Sequence, residues 1–130
     1  SNSTNVFDSF TLTNGLVTGI IPAGYGGAIF IDSGSMLTLN HSTLSGNEAS
    51  DGGGIFNSGT LVLNNDTLFG NIANNHGGGI LNGSLLTINN STISGNTAGG
   101  IDGGSGIYDE AGNISLNNSI CNASTIFQNK

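Results

Sequence analysis

Positive charge is almost absent from this 130-residue sequence. One Lys or Arg stands against eight Asp or Glu, which gives a net charge of -7 at pH 7. A protein that binds nucleic acid or an anionic membrane surface does so mainly through Lys and Arg. The composition therefore excludes nucleic acid and anionic membranes as partners bound through a basic patch.

Cysteine and long apolar runs are also scarce, and charge of either sign is low. The single cysteine cannot form an internal disulfide. No run approaches the length of about 18 apolar residues that a membrane-spanning helix needs, and no charged-then-apolar leader opens the chain. Charged residues make up only 7% of the chain, fewer than most disordered chains carry. We therefore expect one folded domain over residues 1–130, a mature or excised segment that does not span a membrane.

Glycine and asparagine are abundant instead, and the sequence repeats. The segment LTLNHSTLSGNEA at residues 37–49 returns as LVLNNDTLFGNIA at 61–73 and as LTINNSTISGNTA at 86–98. The second aliphatic residue of each copy serves as its anchor, and successive anchors are 24, 25 and 28 residues apart: Leu39, Leu63, Ile88 and Leu116. A weaker copy surrounds Phe7. The chain thus divides into about five repeats, at approximately 1–22, 23–49, 50–73, 74–98 and 99–130.

The repeat predicts β-strands rather than helices. Apolar residues alternate with a period of two before each anchor, and no stretch shows the helical period. In the second half of each unit, glycines precede an aliphatic residue, and turn residues follow it, so each unit reads as strand, corner, strand, corner. Repeats of about 25 residues with short strands and sharp corners are typical of a parallel β-solenoid. We predict an all-β, single-stranded parallel β-helix without evident end caps, right-handed as strand-crossover chirality favours.

In such a fold each residue stacks on its equivalent about 4.8 Å away in the next coil. Three columns are predicted to fill the core: Leu39, Leu63, Ile88 and Leu116; Leu44, Leu68, Ile93 and Cys121; Ile29, Ile55, Ile80 and Ile107. Two columns are predicted to form inward asparagine ladders in which each amide bonds the next: Asn40, Asn64, Asn89 and Asn117; Asn47, Asn71 and Asn96. Cys121 is thereby expected to be a small buried hydrophobic residue rather than a reactive thiol.

The segment GGAI at residues 26–29 is followed by LSGN at 44–47, LFGN at 68–71 and ISGN at 93–96. These segments resemble the GGA[ILV] and FxxN motifs of polymorphic outer-membrane protein repeats, with Leu or Ile in place of Phe. The resemblance covers residues 23–98. It implies a right-handed parallel β-helix on the outside of a cell, used for adhesion or as structural surface, and it brings no catalytic site.

The best cluster of acidic residues, Asp102, Asp109 and Glu110, lies in the irregular fourth unit. The segment from Gly103 to Asp109 is close to a calcium-binding glycine-rich repeat, but its Asp comes one residue late. Solvated turn acids are the favoured interpretation, with calcium binding and glycoside cleavage as weaker ones. Neither His41 nor His76 has a partner at metal-ligand spacing. No cofactor is expected.

The function predicted from these features is structural and not enzymatic. We expect an extracellular or cell-surface β-solenoid whose partners are other copies of itself stacked end to end, since terminal coils expose core and strand edges. An excised segment of an adhesin-like passenger is the other form of this hypothesis. The alternative is a carbohydrate-binding or polysaccharide-cleaving β-helix module, with host or matrix glycans as its ligands.

Overall fold

The computed structural model describes residues 4–15, 24–110, 113–122 and 126–128 of the chain, with the side chains of residues 122 and 126–128 left out of the description. Within these residues the chain forms strands and turns without a helix. The strands are β1 (Thr4–Asp8), β2 (Thr11–Thr13), β3 (Ile29–Ile31), β4 (Met36–Asn40), β5 (Thr43–Ser45), β6 (Glu48–Asp51), β7 (Ile55–Asn57), β8 (Thr60–Asn64), β9 (Thr67–Phe69), β10 (Ile72–His76), β11 (Ile80–Asn82), β12 (Leu85–Asn89), β13 (Thr92–Ser94), β14 (Thr97–Ala98), β15 (Ile107–Asp109), β16 (Ile114–Asn117), β17 (Ile120–Asn122) and β18 (Ile126–Gln128).

These strands form four parallel sheets that run along the axis of a solenoid. The first sheet has the order β1-β4-β8-β12-β16, the second β2-β5-β9-β13-β17, the third β6-β10-β14 and the fourth β3-β7-β11-β15-β18. Three coils contribute one strand to each sheet, and the first and last coils contribute described strands to three of the four sheets. From β1 to β16 the described chain makes four turns, and β17 and β18 continue into a fifth. The predicted all-β parallel solenoid is confirmed, but each coil has four short strands rather than two. The right-handed sense stays a prediction.

Strand pairing places repeat-equivalent residues directly over one another. The anchor column pairs Phe7 with Leu39, Leu39 with Leu63, Leu63 with Ile88, and Ile88 with Leu116. Because side chains alternate across a strand, each residue two positions away also points inward. Because the sequence repeats, each column of the core consists of similar residues stacked on one another.

In the inner coils, apolar side chains from the first, second and fourth sheets are fully buried. Leu39, Leu63, Leu44 and Leu68 are each 0% exposed, and Ile88 is too. The fourth sheet adds Ile55, Ile80 and Ile107 at 0%, while Ile29 of β3 is only partly buried. Burying one such side chain contributes about 1.5–3 kcal/mol relative to leaving it exposed.

Three columns of residues with positive φ turn the chain at the corners. The first lies between the first and second sheets, with φ of 46–58°: Ser9, His41, Asn65, Asn90 and Asn118. The second lies after the second sheet, with φ of 59–63°: Asn14, Gly46, Gly70 and Gly95. The third precedes the fourth sheet: Gly26, Gly52, Gly77 and Gly104. Asparagine and glycine adopt this left-handed region most readily, which explains their abundance.

Glycine is required for a second reason at Gly53, next to the third corner. A Cβ atom there would overlap the carbonyl oxygens of Ile72 and Gly78, which belong to the next coil. At Gly53, the third corner thus brings the backbones of neighbouring coils too close together for a side chain.

The terminal coils depart from the predicted core. Leu116 was expected to be interior but is 42% exposed, and Phe7, in the same column, is 50% exposed. Cys121 pairs with Ile93 in register and is only partly buried. These departures have one cause, since among the described residues each end coil pairs with a neighbouring coil on one side only.

Candidate functional site

The predicted inner asparagine ladder lies in the core, with Asn47, Asn71 and Asn96 at 1%, 0% and 4% exposure. Asn47 Nδ2 donates to Asn71 Oδ1 at 3.0 Å, and Asn71 Nδ2 donates to Asn96 Oδ1 at 3.0 Å. Each Nδ2 also donates to a carbonyl oxygen of the preceding coil, as Asn71 does to Leu44 at 3.0 Å. The amides of Asn47 and Asn71 therefore each link three successive coils.

The other predicted ladder exists but does not point inward. Asn64, Asn89 and Asn117 each donate from Nδ2 to the Oδ1 of the preceding asparagine, at 2.8–2.9 Å, beginning with Asn40. Leu39 points inward, so Asn40 beside it must point outward. This outer ladder is half-buried in the inner coils and exposed at Asn117.

A third ladder was missed by the sequence analysis. Asn57 Nδ2 donates to Asn82 Oδ1 at 2.7 Å, and Asn82 Nδ2 donates to Asp109 Oδ1 at 2.8 Å. All three residues are 0% exposed. Asp109 is therefore an interior residue at the acceptor end of a ladder, and the prediction of a solvated turn acid is wrong for it. Its Oδ2 atom is buried without a hydrogen-bond partner among the described residues.

A fourth polar column contains an unexpected carboxylate. Ser42, Ser91 and Ser119 occupy this position in three coils, and Asp66 occupies it in the coil between Ser42 and Ser91. The Asp66 carboxylate accepts from the backbone N–H groups of Ser42 and Asn64, both at 2.7 Å. Burial raises the pKa of Asp66 above its usual value, and these two hydrogen bonds and His41 offset the rise only in part.

The three calcium candidates do not come together. Asp102 and Glu110 are exposed, whereas Asp109 lies in the core. The part of the chain that the structure describes contains no group of three His, Cys, Asp or Glu residues that could hold a metal ion. The geometry of these acids therefore does not build the proposed calcium site.

Both histidines have carboxylate partners from the neighbouring coil. His41 Nδ1 lies 3.3 Å from Asp8 Oδ1 on the surface. His76 Nδ1 lies 2.9 Å from Asp51 Oδ1, which also accepts from the His76 backbone N–H at 3.1 Å. The second pair holds an irregularity in β10, which has one residue more than β6 between its paired positions. The alignment of the repeats predicts the contact between Asp8 and His41. It does not predict the contact between Asp51 and His76, because the extra residue in β10 shifts the alignment there.

The end of the solenoid formed by β1 and β2 is an open apolar mouth. A cavity of about 570 Å³ lies there, lined among others by Phe7, Phe10, Leu12 and Ile29. At the other end, Leu116 of the anchor column is 42% exposed. The two ends therefore present core-type residues and unpaired strand edges, which makes them the candidate functional surfaces of the described chain.

One further surface feature is a short stack of aromatic rings along the fourth sheet. The rings of Phe30 and Phe56 stack at 5.4 Å, and Tyr25 lies 4.3 Å from Phe56. Phe30 is 51% exposed and borders a cleft of about 230 Å³ that Asn5 and Asp32 also line. This surface combines exposed apolar rings with nearby polar groups.

Comparison with known proteins gives no identification. No family model, curated protein or solved structure matches the chain. Among the described residues, no helix is long and apolar enough to cross a membrane.

Proposed function

We propose that this protein is a non-enzymatic, structural β-solenoid that acts outside the cell or on its surface and whose end coils stack on further coils of the same kind. In one form, copies stack head to tail into a fibre. In the other, the chain is a segment of a longer adhesin-like passenger. Its extracellular location is supported by the resemblance of residues 23–98 to surface-protein repeats.

The observation that carries this proposal is the contrast within the anchor column. Leu39, Leu63 and Ile88 are 0% exposed, whereas Phe7 and Leu116, in register at the two ends, are 50% and 42% exposed. The side chains are of the same kind, so the missing neighbour accounts for the difference. A further coil at either end would bury these residues and stabilise the stack by about 25 cal/mol for each Å² of apolar surface removed from water.

The backbone supports the same conclusion. β1 and β16 are the outermost strands of the first sheet, so each has hydrogen-bonding groups directed away from the solenoid. Exposed edges of this type pair readily with another strand. Because the two edges belong to opposite ends, their contact is head-to-tail and does not close, which generates a fibre. The net charge of -7 opposes the contact, so salt should favour it.

The test is sedimentation velocity at rising protein and salt concentration, with negative-stain electron microscopy of the same samples. We expect linear particles that lengthen with concentration. Leu116→Asp should abolish them, because it places a charge in the joint. Ser115→Asp, which adds the same charge on the outward face of the same strand, is the matched control. Discrete single particles at every concentration would refute stacking.

Carbohydrate binding is the second candidate, and the ring stack of Tyr25, Phe30 and Phe56 favours it. Sugar rings pack on exposed aromatic side chains while polar neighbours fix their orientation. Titration calorimetry with neutral and acidic polysaccharides tests this function. Binding should be lost in Phe30→Ala and kept in Phe69→Ala, which removes a ring of similar exposure, 56%, from a different sheet.

A further inference from the structure

The outer ladder contains one carboxylate. Register pairs Asp8 with Asn40, so the column consists of Asp8 followed by the four asparagines Asn40, Asn64, Asn89 and Asn117. In the inner part of this column, every amide nitrogen donates toward the β1 end of the solenoid, and every Oδ1 accepts from the following coil. The Oδ1 of Asn117 is thus the acceptor that a following coil would meet.

In the head-to-tail joint, β1 of one copy would pair with β16 of another, and Asp8 would lie over Asn117. Within its own copy, the Asp8 carboxylate lies over Asn40 in register, accepts from the Ser9 hydroxyl at 2.9 Å and lies 3.3 Å from His41 Nδ1. In the observed direction of the ladder, Asn117 turns its Oδ1 toward the joint. An ionised Asp8 has acceptors only, so the link across the joint is then a contact between two oxygen acceptors.

Resting on the proposed stacking of copies, we propose that a proton on Asp8 controls the joint: the ionised carboxylate opposes stacking, and the protonated one continues the ladder across it. The protonated carboxyl donates one hydrogen bond and accepts another, which restores the missing donor. The joint is thereby favoured by acid and opposed near neutral pH.

The charged groups around Asp8 are few. His41 lies at the first corner of the next coil, and its Nδ1 is 3.3 Å from Asp8 Oδ1. Asp66 lies deeper in the same region and interacts with Asp8 electrostatically. Residues 113–122, which would face Asp8 from the other copy, include no Asp, Glu, Lys, Arg or His. Residues 113–122 of the other copy therefore offer no cation to compensate an ionised Asp8.

The experiment compares the full chain with Asp8→Asn and Asp32→Asn at pH 7 and at about pH 2.5, well below the usual pKa of a carboxyl group. Asp32 is an exposed turn residue near the same end, so its substitution removes the same charge outside the column. This control is needed because the sequence pI of about 4.1 makes association at acid pH general. Light scattering and sedimentation give the concentration for half-assembly, microscopy the shape, and circular dichroism the fold.

We expect the parent chain and Asp32→Asn to form linear stacks at acid pH and to need about tenfold more protein at pH 7, since an unmet hydrogen bond of this kind costs about 1–3 kcal/mol. Asp8→Asn should show a clearly smaller difference between the two pH values, because only the general effect of the net charge remains. If Asp32→Asn behaves like Asp8→Asn, or if the parent chain stacks equally at both pH values, the role of Asp8 is refuted while stacking stands. If folded Asp8→Asn stays monomeric at both pH values, stacking itself is refuted.

Discussion

Replacing Asn71 by Ala should be among the most destabilising single changes in the chain. The Asn71 amide makes four hydrogen bonds at 3.0–3.1 Å: it donates to Leu44 O and Asn96 Oδ1, and it accepts from the backbone and side-chain nitrogens of Asn47. All of these contacts are buried, so water cannot replace them. At about 1–3 kcal/mol for each buried group left without a partner, the loss is about 4 kcal/mol. This loss is a large fraction of the free energy of unfolding of a typical domain, which is roughly 5–15 kcal/mol.

Asn64→Ala is the matched control for this experiment. It removes the same amide from the same coil, but Asn64 belongs to the half-buried outer ladder, where water can bond to the groups that remain. We expect it to cost about 1 kcal/mol. Urea unfolding monitored by circular dichroism measures both variants. Equal losses in the two, or a loss below about 1 kcal/mol in Asn71→Ala, would refute the conclusion that the inner ladder stabilises the stack through buried amides.

Three further predictions concern single residues of the corners and columns. Gly70→Ala should cost about 1–2 kcal/mol of stability, because φ is 63° there while the space around a Cβ is open. Gly53→Ala should instead prevent normal folding, because its Cβ would overlap the backbone of the next coil. Chemical denaturation of the two variants distinguishes the two effects. His41→Asn should stabilise the chain by about 0.5 kcal/mol in thermal unfolding, since it gives the corner the residue of the following coils and removes only an exposed contact with Asp8. Asp66→Ser should change the pH dependence of stability. Because the pKa of Asp66 is raised in the folded state, its contribution to stability is most favourable at acid pH and is lost as the pH rises through the folded-state pKa. The free energy of unfolding of the variant, relative to that of the parent chain, should therefore increase from about pH 3 to about pH 7. A relative stability that is flat or falls over this range would show that burial does not dominate at Asp66.

The sequence was sufficient to predict the stacking of equivalent residues, and therefore the fold. Which way a side chain points depends on counting residues from a known inward position, and this count works only within one strand. Asn40 could have been placed outward, because it immediately follows the inward Leu39. Asn47 could not be placed in this way, because the left-handed corner at Gly46 lies between it and the inward Leu44 and resets the alternation.

For the third ladder, strand alternation gives the correct direction, but the residue types suggested a turn instead of a strand. Asn57 and Asn82 lie two residues after the inward Ile55 and Ile80, and strand alternation alone therefore places them in the core. Their composition suggested turns, since asparagine before serine or glycine is a turn signal. The sequence could not show that the strand extends to these residues before it turns. The inclusion of Asp109 in the ladder depends on the same extension.

Differences in coil length indicate where the solenoid tolerates change. From Leu39, Leu63 and Ile88 to the inner-ladder asparagines Asn47, Asn71 and Asn96, the spacing is always eight residues. This segment crosses two left-handed corners and contains ladder residues of two kinds, so one added residue would take a polar side chain out of its column and place an apolar one in it. The extra residue of the coil that contains β10 lies instead at Asn74 and Asn75, where the register with β6 shifts. The extra residues between Ile88 and Leu116 likewise lie before the fourth sheet and in the turn after it. Both places are outside the segment that contains the outer and inner asparagine ladders. Length varies only where no column of buried amides requires the coils to coincide.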